Sequence, residues 1–329
     1  MRHPTFPYSL SLPVFAAPMF LISGPELVVE ACKAGIIGAF PTSNARPIEM
    51  LDQWMRRITE DLAAARAADP DKPVGPWAAN VITHSSNQRL PEDLALIAKY
   101  KPPIVITALG SPKPVLDLVH AYGGLVFADV VSLKLARKAA LAGADGLACV
   151  SAGAGGHTGG LSPFAFVAAV RKFFDGYVIV GGGIADGWGV AGAIGAGADL
   201  VYMGTRFIPT SESMAAQEYK QMLVDCDADD LLVSAAITGT PASWLRPSLV
   251  ANGLDPDDMP PPPARNYDST RSFAGKRWSQ VWAAGQGVGS IAAMEPVSLV
   301  VERLINEYHS AVDRFEQFAA DFTQSTENR

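Results

Sequence analysis

The chain has 329 residues, 49% of them hydrophobic and 18% charged, with a formal net charge of −7. That is enough apolar material for a large core without disulfide or metal staples, and an acidic balance with no long basic run argues against nucleic acid as a partner. Cys32, Cys149 and Cys226 are widely separated and form no CxxC, which argues against a disulfide framework and for a reducing, cytoplasmic setting. The apolar N-terminal run is too short and too interrupted for a secretory or membrane segment.

Short apolar runs at residues 13–17, 36–40, 74–81, 104–107, 124–128, 146–150, 177–180 and 200–203 read as eight strands, near-continuously apolar as strands buried on both faces are. The intervals between them are long enough for crossover helices. Ser23-Gly24-Pro25-Glu26 reads as a capping box. Ser111-Pro112 and Ser162-Pro163 each place an N-cap before a proline at the first helical position. Gly35, Gly143 and Gly197 read as left-handed C-caps. Eight alternating units in the first 207 residues predict an α/β chain folded as a (β/α)8 barrel, with an open doubly wound sheet as the alternative.

Beyond them, residues 209–237 read as helix and residues 252–267 as a Pro-rich loop. Residues 295–322 read as a helix that buries Val300, Leu304, Tyr308, Val312, Phe315, Phe318 and Phe322 on one face. The expected division is a barrel core over 1–207 and a mostly helical extension over 208–329, packed on the barrel as one structural unit.

Two glycine-rich tips follow the last two barrel strands: Gly181-Gly182-Gly183, ahead of Asp186, and Met203-Gly204-Thr205. Glycine lets backbone amides approach an anion, and barrels commonly bind phosphate at these positions. Asp186 suits a cap for the next helix. Ser151 to Gly160, SAGAGGHTGG, follows the sixth strand and places His157 among glycines, with Gly155 and Gly156 just before it. Histidine there can accept a proton or hydrogen-bond a substrate near neutral pH, and the glycines leave room for a flat cofactor. His3, His84, His120 and His309 have weaker positions, His84 as a supporting residue. Pro18 and Met19 end the first strand, Asn80 lies near the end of the third, and Asp129 ends the fifth. No HExxH or His/Cys cluster suggests a metal, and no GxSxG elbow or P-loop occurs. Cys149 lies within a strand and Cys226 among acidic neighbours, so neither suits a nucleophile.

Together these segments resemble the nitronate monooxygenase family, formerly the 2-nitropropane dioxygenases. The resemblance rests on AAPM at the first strand, WAANV around Asn80, AGGHTGG around His157, GGGIADG, VYMGTRF, TGTPASWLR at residues 238–246 and WAAGQGVGSI at residues 282–291, in family order across the chain. It implies FMN across the strand ends. The phosphate would be held by the backbone of Gly182, Gly183, Gly204 and Thr205, flanked by Gly181 and Met203. Pro18 and Met19 would back the ring, Asn80 and Asp129 would lie beside it, Gly155 and Gly156 would pass close to it, and His157 would face the substrate. The implied reaction is oxidation of an alkyl nitronate such as propionate 3-nitronate with O2. Alternatives are an NAD(P)H-dependent flavin reductase acting on quinones or enoyl thioesters, and a flavin-binding protein without turnover. A homodimer is the expected assembly, with no membrane association. Two departures stand out: Asp129 replaces the lysine of better-known members, and Ala17-Pro18 replaces a pair of glycines. An ionised Asp129 would oppose negative charge on a reduced ring.

Overall fold

The computed structural model describes residues 5–263 and 279–327. In chain order the elements are β1 (Val14–Ala16), α1 (Pro25–Lys33), β2 (Ile37–Pro41), α2 (Ile48–Ala68), β3 (Trp77–Ile82), α3 (Leu90–Tyr100), β4 (Ile104–Ala108), α4 (Lys113–His120), β5 (Leu125–Val130), α5 (Leu133–Ala142), β6 (Gly146–Val150), β7 (Gly156–His157), α6 (Pro163–Val170), β8 (Tyr177–Gly181), α7 (Gly187–Gly195) and β9 (Leu200–Met203). All of these strands except β7 are parallel and close into one barrel, with β9 returning to β1 so that Tyr202 lies opposite Phe15. The eight apolar runs are the eight barrel strands. Closure excludes the open sheet.

Alternation along each strand sorts the side chains into two layers. Phe15, Ile37, Ala78, Ile106, Phe127, Ile179 and Tyr202 fill the barrel, and the Phe15 and Tyr202 rings meet edge to face with centroids 5.0 Å apart. Val14, Leu147, Val180, Val201 and Met203 point outward, under the helices. The helix starts follow local chemistry. Ser132, Ser162 and Asp186 accept amides of α5, α6 and α7, and Gly143 and Gly197 take positive φ after α5 and α7. The capping box at Ser23 does not form. Gly24 holds the cap position without a side-chain bond, and the Ser23 hydroxyl accepts the Met19 amide at 3.0 Å instead. It is spent on folding the segment after β1 back on itself.

The chain continues with α8 (Gln217–Asp225), β10 (Leu231–Ser234), β11 (Ala242–Leu245), α9 (Arg246–Ala251) and α10 (Val297–Glu327). Residues 209–237 are therefore helical only over α8. Helical propensity loses at β10, which pairs antiparallel with β11 from Leu231↔Leu245 to Ser234↔Ala242. Residues 252–263 are loop as expected; residues 264–267 of that stretch lie outside the described residues.

The stripe on α10 is buried only in its first half. Val300 and Leu304 are sealed, whereas Phe315 is 52% and Phe318 68% exposed; the side chain of Phe322 is outside the described set. A helix of 31 residues is about 46 Å long and overruns the 9-residue α7 on which it packs. The two helices meet at Gly187, where a Cβ would lie 2.3 Å from the Leu304 carbonyl oxygen and 2.4 Å from the Tyr308 nitrogen. Gly187→Ala should therefore cost about 1–3 kcal/mol in denaturant unfolding through overpacking. Gly192→Ala, on the same helix with nothing within 4 Å of its Cβ, should be neutral or stabilising by up to ~1 kcal/mol.

Candidate functional site

Barrel strands end in loops at their C-terminal rim, and there the glycine-rich segments meet. After β6 the chain folds back: the Ala152 amide donates to the Leu161 carbonyl at 2.7 Å and the Thr158 hydroxyl to the Ser151 carbonyl at 3.0 Å. Positive φ at Gly153 (88°) and Gly156 (64°) makes the turn possible. Gly156 and His157 then form β7, which leaves the barrel and pairs antiparallel with β11, His157 opposite Ala242 and Gly156 opposite Ser243. A small three-stranded sheet, β10-β11-β7, thus fixes the backbone of the histidine.

The Gly153 carbonyl accepts the Gly183 amide at 3.0 Å and the Gln286 amide at 2.9 Å. The Thr205 hydroxyl accepts the Gly285 amide at 2.9 Å. A Cβ on Gly155 would lie 2.7 Å from the Gly285 nitrogen, and one on Gly204 3.4 Å from the Met19 sulfur. The structure therefore brings together Met19, Gly155, Gly156, Gly183, Gly204 and Thr205. It adds a segment to which the sequence reading gave no role, residues 284–287. The Gln286 side-chain oxygen would be 2.7 Å from a Cβ on Gly153 and 3.9 Å from one on Gly183, so this amide lies across the glycine tips. The signal was the pair of glycines flanking Gln286.

Other candidates occupy less direct places. Gly181 closes β8 against Tyr202, where a Cβ would lie 2.7 Å from the tyrosine Cβ. Gly182 turns beside Ala152 with φ of 137°. Pro18 follows Ala17, whose amide donates to the Met203 carbonyl at 2.9 Å. The Met203 side chain is buried in the outer layer, so only its backbone reaches the rim. The N-terminus of α7 is not free for an anion. The Asp186 carboxylate takes the Gly189 amide at 2.6 Å and the Glu307 carboxylate takes the Gly187 amide at 2.8 Å.

The floor of the mouth is polar. Asn80 donates to Asp129 Oδ2 at 3.2 Å and to the Ile106 carbonyl at 3.4 Å. Asp129 Oδ1 and the Tyr202 hydroxyl are sealed from solvent and face one another, the tyrosine acting on the carboxyl as a weak donor. Burial pushes the Asp129 carboxyl up to about 7, with hydrogen bonding from Asn80 and Tyr202 opposing the rise. Burial also lowers His157 below the usual histidine value, so its imidazole is neutral at pH 7. Burial pushes the Cys149 and Cys226 thiols up to about 12 and about 11, which leaves both unsuited to nucleophilic work. His84 Nδ1 lies 2.8 Å from the Ser86 hydroxyl in its own turn, and His120 lies 2.8 Å from Asp145. A groove of 580 Å³ beside Arg137, Asp145, Phe173 and Tyr177 lies at the strands' N-terminal ends, away from this chemistry. Volume alone does not locate the site.

The family model for nitronate monooxygenase matches residues 7–307. The chain belongs to the nitronate monooxygenase family. It is thus an oxidoreductase of a flavin-dependent family. A nitronate monooxygenase of Neurospora crassa is 27% identical over 96% of this chain and 94% of its own length. A protein of Rhodococcus jostii named (3aS,4S,5R,7aS)-5-hydroxy-7a-methyl-1-oxo-octahydro-1H-indene-4-carboxyl-CoA dehydrogenase is 28% identical over 81% of this chain and 72% of its own length. FabK from Thermotoga maritima superposes with a TM-score of 0.74 at 25% identity, covering 94% of this chain and 96% of that one. Among the described residues no helix is long and apolar enough to cross a membrane.

The glycine tips suit the cofactor class of the nitronate monooxygenase family: Cβ atoms on Gly183 and Gly204 would meet nothing closer than 3.8 and 3.4 Å, so backbone at both tips lies open to a flat ring or its phosphate. The raised Asp129 carboxyl has a consequence for stability. Between the unfolded value near 4 and the folded value near 7, the unfolded chain has lost the proton that the folded chain keeps. Wild-type stability therefore falls as pH rises through that window. Asp129→Asn lacks the slope. Its melting temperature, measured without added flavin, should gain a few degrees on the wild type by pH 8 and lose that advantage near pH 4.

Proposed function

We propose that this chain binds FMN across the barrel mouth and oxidises a small alkyl nitronate, such as propionate 3-nitronate, with O2. One observation carries the reading: β7 sets His157 on a rigid sheet beside the glycine tips that meet at the Gly153 carbonyl. The bound ring would accept an electron pair from the substrate and pass it to O2. Gly204, Thr205 and the side chain of Gln286, beside the glycine tips, would hold the phosphate. Met19, next to Gly204, backs the ring. Asn80 and Asp129 lie under its polar edge.

The imidazole of His157 then faces the substrate. Its neutral form at pH 7 can take a proton from the carbon next to a nitro group when a neutral nitroalkane is offered. Toward a nitronate, already an anion, the same ring offers one N–H to an oxygen.

A second reading has one observation behind it. The Rhodococcus relative, named for action on a coenzyme A thioester, is as similar in sequence as the Neurospora nitronate monooxygenase. An NAD(P)H-dependent reductase acting on such thioesters is therefore the rival activity.

Purified protein should be yellow and contain FMN. Anaerobic addition of propionate 3-nitronate should bleach it. Rapid bleaching by NADH with none by the nitronate would replace this reading with the rival one. His157→Asn should retain FMN while lowering kcat/KM by about 10²–10⁴-fold; full activity in that variant would remove the histidine from the mechanism.

A further inference from the structure

The segment after β1 folds back on itself with no glycine between Ala16 and Ser23, and Pro18 removes one amide from it. The turn is made at Leu21, whose φ of 63° lies in the left-handed region, a strained conformation for a residue with a side chain. One side chain from another loop supports it. Asn44, in the turn that follows β2, accepts the Leu21 amide on Oδ1 at 2.9 Å and donates from Nδ2 to the Met19 and Ser23 carbonyls, each at 2.9 Å. Its one acceptor and two donor hydrogens meet all three backbone groups, which neither a carboxylate nor a methyl group could do. Ser23 tightens the same turn, accepting the Met19 amide at 3.0 Å and donating to the Ala17 carbonyl at 3.3 Å. The Arg46 guanidinium, just beyond Asn44, lies over the Phe20 ring, 5.6 Å from its centre. Asn44 is held from behind in turn. Arg89 donates to the Thr42 and Ala45 carbonyls, on either side of it, at 2.5 and 2.7 Å, and pairs with the buried Asp93 carboxylate at 2.9 Å. A continuous path therefore runs from α3 through Arg89 and Asn44 to Met19, whose sulfur lies 3.4 Å from the position of a Cβ on Gly204.

We infer that Asn44 is a positioning residue for the flavin: its three hydrogen bonds hold the strained Leu21 turn closed and so keep Met19 set against Gly204, on the face that backs the ring. This rests on the proposed FMN site. Asn44 acts through Met19. Without those bonds the left-handed turn relaxes, and Met19 is in place in only a fraction of the chains. The apparent Kd for FMN then rises in inverse proportion to that fraction. Leu21→Gly removes the strain at its source, because glycine takes the left-handed conformation without support. It should therefore compensate for the loss of Asn44, and that compensation separates positioning of this turn from general stabilisation.

The test has two arms on the full-length protein. The first is amide hydrogen exchange without flavin. Residues 17–24 should exchange slowly in the wild type and fast in Asn44→Ala. Equal rates overturn the inference whether or not FMN binds. The second is FMN titration by flavin fluorescence. Asn44→Ala should raise Kd about tenfold, and Asn44→Ala with Leu21→Gly should return to within about threefold of the wild type. At saturating FMN the visible circular dichroism of the bound flavin should change in Asn44→Ala and regain its wild-type form in the double variant. An unchanged Kd and spectrum in Asn44→Ala, or no recovery in the double variant, overturns the inference and leaves the FMN site standing. Failure of the wild type to bind FMN at any concentration overturns both. Should Asn44→Ala not fold, Ser23→Ala decides: it removes the acceptor of the Met19 amide and should raise Kd about threefold or more, and an unchanged Kd there overturns the inference.

Discussion

The carbonyl oxygen of Gly153 accepts two backbone amides, one from Gly183 at the tip of β8 and one from Gln286 near the end of the chain. Each bond contributes only about 0.5–1.5 kcal/mol net, but together they join three segments distant in sequence. The rest of the mouth depends on that junction. Gly155 can then pass within contact of Gly285, Gly285 can reach the Thr205 hydroxyl, and Gln286 can lie over the tips. A side chain at Gly155 or Gly285 would push backbones apart, because each hypothetical Cβ falls 2.7 Å from a neighbouring backbone atom, and one at Gly153 would strain a φ of 88° and displace the Gln286 side chain. The glycines here serve protein-to-protein approach first. Room for a cofactor is a consequence of the junction they permit.

This explains what was legible in the sequence. Strands buried on both faces are continuous apolar runs, so all eight barrel strands stood out. Helix ends closed by Gly35, Gly143 and Gly197 stood out because only a left-handed residue fits there. The candidate residues at strand ends could be named because a closed parallel barrel collects all its strand ends at one rim. Their partners could not. Ser23 has the spacing of a cap, but a long-range turn used its hydroxyl first. Tyr202 reads as one more strand aromatic until the barrel closes and turns its hydroxyl toward Asp129. Residues 231–234 look helical in isolation and become a strand because β11 offers an edge. In each case the deciding contact is remote along the chain.

The C-terminal third does more than cover the barrel. Through β11 it sets the strand on which His157 sits, and through residues 284–287 it completes the cradle. Through Glu307 on α10 it also occupies the first amide of α7, beside the Asp186 cap. Two carboxylates at that helix start complement its dipole and take the Gly187 and Gly189 amides. The extension thus takes up an amide at the start of α7 while laying Gln286 beside Gly153 and Gly183.

The replacement of a lysine by Asp129 is then understandable in physical terms. A cation at the floor would attract negative charge on a reduced ring directly. An ionised carboxylate there would repel it, and a lone buried charge would also carry a desolvation cost of several kcal/mol. A buried acid avoids both penalties, because it carries no charge and keeps one donor. The surroundings match a neutral group: an amide from Asn80, a phenol from Tyr202 and hydrocarbon on the remaining sides. Below about pH 7, with the carboxyl protonated, the floor carries no charge and acts through the direction of its hydrogen bonds, whereas a cation would attract any anion.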